Sequence, residues 1–172
     1  MNIGPVIGLA KDFVAEGADG RPRSCVGCHM ALVERDLPED ADEDALPRPG
    51  RSHRLRGSSD PAVLAKAFET TLTREGEEVV LRLVNRAGHR LPGLQEQSFV
   101  FSARSLDGAG VELGTAEHAV DARNWLPTAG SASLRLPAGA SVSLKAAYHP
   151  HGGGQPIPFL QISLPLAPAG DG

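Results

Sequence analysis

From residue 68 onward the sequence alternates between apolar and polar residues with a period of two. The alternation runs through seven short segments, FETTLTR, EEVVLRLVN, SFVFSARSL, GVELG, SASLRLP, SVSLKAAYH and PFLQISLPL. One apolar face and one polar face per segment is typical of strands in an antiparallel sheet. The turn signals EG, DG, PAG and GGG separate the segments. Short strands with such turns predict a mainly β chain, folded as an antiparallel immunoglobulin-like β-sandwich.

The alternation also predicts which side chains form the core. We expect the inward faces of three segments to carry Phe99, Phe101 and Ala103; Val142, Leu144, Ala146 and Tyr148; and Leu160, Ile162 and Leu164. Just before the first strand, Asp60-Pro61 is typical of a helix N-cap followed by proline at the first helical position. We therefore expect one or two helical turns at the start of DPAVLAKAF.

The N-terminal third of the chain has a different character. Residues 1–23 contain apolar residues at helical spacing, which predicts a short N-terminal helix ending at Gly17. Residues 24–59 have almost no periodic pattern, and so long a loop is uncommon in a compact domain unless something else organises it. We therefore predict a helix and loop-rich segment over residues 1–59 and a sandwich domain over residues 60–172.

Composition limits the classes of partner. The chain has 172 residues and a net charge of −4, which argues against nucleic-acid binding because phosphate contacts require a basic face. Its apolar runs are shorter than the 18 to 20 or so residues of a membrane span, so we expect no integral membrane segment. The first residues lack the basic region of a secretion signal.

The motif Cys25-Val26-Gly27-Cys28-His29 contains both cysteines of the chain. A disulfide would close a very small loop and stabilise little. A zinc site requires further ligands, and the sequence has no second cysteine pair. A thioredoxin-like redox pair belongs beside a βαβ unit, which the pattern does not predict. The fourth interpretation is a c-type haem, for which C-x-x-C-H is the attachment signature.

The chemistry of the motif favours haem c with its iron as the cofactor. Two thiols separated by two residues reach the two vinyl groups of one porphyrin, and the next residue, His29, then points at the iron. The surrounding sequence lacks periodic structure, which agrees with a segment organised by a cofactor. Haem is thus the favoured interpretation, and the disulfide, zinc and redox-pair interpretations remain alternatives.

The second axial position of such an iron is left to a histidine or stays open, because a methionine ligand is disfavoured. Met30 follows His29 directly, so the chain places it on the same side of the ring. His53 lies among arginines in RPGRSHRLRG, and His89 lies in the Gly- and Pro-bracketed turn NRAGHRLPG. Both are candidate metal ligands. For the remaining histidines we expect a surface position for His118 and an exposed strand end for His149 and His151.

These segments together resemble a known family. They are similar to the C-terminal part of exported multihaem c-type cytochromes, including cytochrome c554-like proteins, in which C-x-x-C-H-M, S-H-x-F and N-x-x-G-H-x-x-P-T-G follow in order. The matching segments here are Cys25 to Met30, Ser52 to Gly57 and Asn85 to Gly93. Leu55 replaces the aromatic residue, the threonine of P-T-G is absent, and one haem motif stands where the family has several.

The resemblance implies covalent haem at Cys25 and Cys28, His29 as proximal ligand and a histidine as distal ligand. It also implies electron transfer outside the cytoplasm, in the periplasm or at the cell exterior, with redox partner proteins and other haem subunits as partners. If the chain is part of a longer multihaem protein, His53 or His89 serves a haem whose attachment motif lies upstream.

We therefore predict an electron-transfer module with one bis-histidine haem, rather than an enzyme. Two alternatives belong to other classes. In a catalytic haem domain with an open distal position, His53 and His89 would act as acids or hydrogen-bond donors. In a haem-free interaction module, Cys25, Cys28 and nearby histidines would bind copper or zinc on a β-sandwich.

Overall fold

The computed structural model of the chain describes residues 29–30, 32–33, 50–51, 60–93 and 96–166. Over these ranges the chain is mainly β, as the sequence predicts, with one short helix, α1 (Pro61–Lys66). The strands in chain order are β1 (Leu32–Val33), β2 (Gly50–Arg51), β3 (Phe68–Glu75), β4 (Glu78–Asn85), β5 (Ser98–Leu106), β6 (Glu112–Val120), β7 (Ser131–Pro137), β8 (Ser141–His149) and β9 (Ile157–Pro165).

Helix α1 begins as its sequence predicts. The Asp60 side chain accepts hydrogen bonds from the backbone N–H groups of Ala62 and Val63, at 3.0 and 3.4 Å, which satisfies donors that have no partner within the helix. Pro61 occupies the first helical position, where its missing N–H costs nothing. The helix buries Leu64 and leads directly into β3.

Two antiparallel sheets form the sandwich. One has the order β3-β4-β7 and the other the order β6-β5-β8-β9. In a constant-type immunoglobulin domain the fourth strand joins the sheet of the first, second and fifth strands. Here the fourth strand of the sandwich, β6, pairs with β5 and so enlarges the other sheet. Strands β1 and β2 form a separate two-residue ladder.

The core lies between the two sheets. The predicted inward faces of β5 and β8 are confirmed, since Phe99, Phe101, Ala103, Val142, Leu144, Ala146 and Tyr148 are all buried. Phe68 of β3 contacts the opposite sheet through its ring, with centroids 5.2 Å from Phe99 and 4.8 Å from Phe101 in edge-to-face geometry. Edge-to-face aromatic pairs add directional stabilisation to apolar burial, so Phe68 joins the two sheets.

Strands β9 and β6 add features that the sequence did not predict. Leu160, Ile162 and Leu164 pack against the core as predicted, although each is only half-buried, and Phe159 is buried as well. Ala146 pairs with Leu160 and Ala147 with Pro158, so Phe159 is an extra residue in a β-bulge. Strand β6 continues to Val120, well beyond the predicted GVELG, because this edge strand has a weaker apolar alternation.

The predicted short N-terminal helix over residues 1–23 lies outside the described residues. The division into a segment over residues 1–59 and a domain over residues 60–172 also stays a prediction, because most of the first range is not described. The described sandwich begins after Asp60 and continues to Leu166.

Ser105 provides a test of the core. Its side chain is fully buried in β5, and its Oγ has no hydrogen-bond partner in the described part of the chain. A buried hydroxyl without a partner costs about 1 to 3 kcal/mol. We expect Ser105→Ala to raise the free energy of unfolding by about 1 kcal/mol in urea denaturation. Ser102→Ala is the control on the same strand, since Ser102 Oγ donates to Glu117. A larger loss of stability in Ser105→Ala than in the control would contradict the interpretation that the buried Ser105 hydroxyl destabilises the fold.

Candidate functional site

The candidate site is built on the end of β4. The strand ends at Asn85, whose side chain is fully buried. Its Nδ2 donates to the backbone carbonyls of His89, Leu126 and Pro127, at 2.9, 3.1 and 3.0 Å. Its Oδ1 accepts from the Ala87 N–H at 2.8 Å. One side chain therefore shapes the turn that carries His89 and joins it to the segment that precedes β7.

The His89 turn is anchored again on its other side. Leu91 and Leu126 form an isolated antiparallel bridge, with N–H to carbonyl distances of 2.9 and 2.8 Å. Both leucine side chains are buried, and the Leu91–Pro92 peptide is cis. At the start of the turn the Arg86 N–H donates to the Ala67 carbonyl at 2.8 Å. His89 is thus held between two fixed points of the sandwich.

The His89 imidazole has a defined hydrogen bond. Its Nδ1 lies 2.8 Å from the Arg90 carbonyl oxygen. Because a carbonyl only accepts, Nδ1 carries the hydrogen, and Nε2 of the neutral ring then bears the lone pair. Histidines that bind metals typically donate their other ring N–H to a carbonyl or carboxylate in this way. The half-buried His89 is therefore in the tautomer that binds a metal through Nε2.

His29 and His89 lie next to each other although they are far apart in the sequence. Their ring centroids are 6.3 Å apart and their planes differ by 17°. A histidine nitrogen binds a transition metal at about 2.0 to 2.1 Å. With the size of the ring included, two imidazoles on opposite sides of one ion have centroids about 6.3 Å apart, and tetrahedral ligation brings them to about 5 Å. The observed rings are stacked with nearly parallel planes, and their separation is within the reach of one ion bound by both imidazoles.

The other predicted site residues, Cys25, Cys28 and His53, lie outside the described residues. The three histidines expected at the surface are all described. His118 is half-buried on β6, and His149 is half-buried at the end of β8. His151 is exposed, as predicted, and pairs with Glu96. Within the described ranges no group of three or more His, Cys, Asp and Glu residues could hold a metal ion. The feature that remains is the pair of imidazoles.

The sequence placed Asn85 at the start of the segment Asn85 to Gly93 but gave it no role, and it did not identify the Trp125–Leu126 segment as part of the site. Residues 79, 81 and 83 of β4 point inward and are fully buried, so Asn85 occupies the next core position. A polar amide at an inward position of a strand is the signal that could have found it. Trp125 is 47% exposed, and the Arg90 guanidinium lies over its ring, 5.9 Å from the centroid.

Comparison with known proteins shows a similarity of fold and nothing finer. No family model matches the sequence, and no curated protein is significantly similar. A penta-heme cytochrome c552 from Thermochromatium tepidum has a similar solved structure, with a TM-score of 0.55 and 15% sequence identity. The similarity covers 90% of this chain and 54% of that cytochrome, so this chain spans about half its length.

In the described ranges no helix is long and apolar enough to span a membrane.

Asp121 stabilises the turn that leads into Trp125 and Leu126. Its Oδ1 accepts from the backbone N–H groups of Arg123 and Asn124, at 2.7 and 2.9 Å. These hydrogen bonds, with the Asn124 bond the larger cause, lower the pKa of Asp121 below its ordinary 3.8. The charged carboxylate therefore stabilises the fold above pH 3.8, and this contribution disappears as the pH falls through the lowered pKa.

We expect Asp121→Asn to be less stable than the native chain at pH 7, and the difference to shrink below about pH 3.8. Thermal unfolding of both proteins across this range measures it. Because backbone hydrogen bonds are the main cause, 0.5 M salt should change the difference little, whereas attraction to Arg123 and His118 alone would be screened. A difference that is constant with pH would contradict the prediction.

Proposed function

We propose that this chain is an electron-transfer module of the c-type cytochrome kind, with one haem attached to Cys25 and Cys28 and bound axially by His29 and His89. The observation that carries the proposal is the 6.3 Å separation of the two nearly parallel imidazole rings. His29 is the histidine of the C-x-x-C-H motif, and His89 comes from a distant turn of the sandwich. The similarity to a penta-heme cytochrome c552 supports the same interpretation at the level of the fold.

The surroundings of His89 support its role as distal ligand. The hydrogen bond from Nδ1 to the Arg90 carbonyl leaves Nε2 as the ligating nitrogen. The turn itself is fixed by Asn85 and by the Leu91–Leu126 bridge, so the imidazole is held before any cofactor binds. A ligand that is already in place loses little conformational entropy on binding, which favours a stable axial bond.

The proposed ligation also specifies the chemistry. When bound, the haem supplies a one-electron iron couple. His29 and His89 would fill both axial positions, which keeps substrates away from the iron and favours electron transfer over catalysis. Two nitrogen ligands also lack the potential-raising thioether of a His/Met pair.

The sequence left two roles open for His53, and the pairing of His29 with His89 favours the second one. If His29 and His89 occupy one iron, His53 has no position on it. We propose that His53 serves a haem outside this chain, as a partner haem subunit or an upstream part of a longer polypeptide would provide. Redox partner proteins and a periplasmic or extracellular location belong to the same proposal.

Spectroscopy of the full chain, produced in a host with a cytochrome maturation system, tests the assignment. We expect the mass of one covalent haem and a low-spin visible and electron paramagnetic resonance spectrum. His89→Ala should give a high-spin ferrous form that binds carbon monoxide rapidly, because the distal position becomes open. His53→Ala should leave the spectrum unchanged.

The matched control is His118→Ala, which removes a half-buried histidine of the same sandwich from β6. It should retain the low-spin spectrum. Loss of the low-spin form in His53→Ala but not in His89→Ala would reject the proposed axial pair. A colourless protein with both thiols free to alkylation would reject the haem itself.

A further inference from the structure

We infer that Asn85 is the positioning residue for the distal ligand: its buried side-chain amide fixes the backbone of His89 and thereby the imidazole. This inference rests on the proposed function and deepens it, since it names a residue outside the axial pair on which ligation depends. Asn85 is fully buried and lies at an inward position of β4.

The first argument is that Asn85, a polar residue, occupies a position that faces the apolar core. The preceding inward residues of the strand, Val79, Leu81 and Leu83, are all apolar and fully buried. An amide at the next inward position is unfavourable unless its donors and acceptor find partners. Its partners are all backbone groups of two turns rather than groups of the sheet. The amide thus organises the turns, which an apolar residue at this position would not do.

The second argument is the number of hydrogen bonds. The two N–H donors of the amide serve three carbonyls at 2.9 to 3.1 Å, so at least one hydrogen is shared. One of these carbonyls belongs to His89 itself, and the other two belong to Leu126 and Pro127. Because Leu126 also pairs with Leu91, the Asn85 amide and Leu126 together hold the chain immediately before and after Arg90.

The third argument connects the backbone to the imidazole. The His89 ring is oriented by the Arg90 carbonyl, which belongs to the peptide between Arg90 and Leu91. Asn85 holds the His89 carbonyl, which lies just before this peptide in the chain. The Leu91–Leu126 bridge holds Leu91, which lies at its other end. Release of the Asn85 hydrogen bonds therefore frees the direction of the ring. Loss of such a supporting hydrogen bond typically weakens ligation about 10- to 100-fold.

Asn85→Asp is the sharpest variant. It keeps the shape of the side chain and an oxygen that accepts from the Ala87 N–H, but it removes both donors. We expect easier displacement of His89, seen as a higher high-spin fraction and about 10- to 100-fold tighter carbon monoxide binding to the reduced protein. Asn85→Ser retains one donor and should lie between Asn85→Asp and the native chain; if Asn85→Asp does not fold, Asn85→Ser carries the test.

The control is Leu83→Ala, which removes a fully buried side chain two residues earlier on β4. It should lower the Tm strongly, because it leaves a cavity in the core. Below that Tm it should leave the spin state and the carbon monoxide affinity unchanged. Equal spectral changes in Leu83→Ala and the Asn85 variants would show general destabilisation and would overturn the inference.

A second readout does not need haem. In the full chain made without cytochrome maturation, backbone N–H exchange at Leu91 and Leu126 should be faster in Asn85→Asp than in Leu83→Ala, since these groups donate within the anchored turns. Unchanged spectra and affinity in Asn85→Asp, with a low-spin native chain, would overturn the role of Asn85 and leave the proposed function intact. A native chain without low-spin haem would overturn the proposed function, and the exchange rates would still decide whether Asn85 fixes the His89 turn.

Discussion

Hydrogen bonds from one buried amide hold together the region on which the proposed site depends. Asn85 is the last residue of β4, and its side chain joins the turn of residues 86–93 to the segment around Leu126. The sandwich around it is tightly packed, with fully buried residues from both sheets. A polar group in such a core has no water to replace a missing partner, so the two turns have one favourable arrangement.

The two histidines reach the site from parts of the chain with different character. His89 comes from a turn braced by the β-sandwich, and His29 comes from the motif segment near the small β1–β2 ladder. Functional groups are commonly carried on loops that a rigid scaffold positions. In the proposed arrangement the sandwich supplies a fixed imidazole, and the covalent motif brings the porphyrin to it.

Much of the fold follows from local patterns, because alternation with a period of two records which side chains face the core. The buried faces of β5 and β8 and the Asp60 cap of α1 were predictable on this basis. The bulge at Phe159 was not, since an extra residue changes which side chains face inward without leaving a composition signal. His29 and His89 were both candidates, but their proximity depends on long-range folding. For the same reason the sequence could not separate His89 from His53.

The exposed indole beside the Arg90 guanidinium gives the molecule an intrinsic optical probe. Trp125 is the only tryptophan in the sequence, and it directly precedes the leucine that pairs with Leu91. Porphyrins absorb in the near-ultraviolet and blue region where indole emits, so a nearby porphyrin accepts the excitation by resonance energy transfer. If the proposed haem is attached, emission from the purified, unlabelled chain would be bright before attachment and quenched after it, so fluorescence of the purified protein would report the fraction that carries the cofactor.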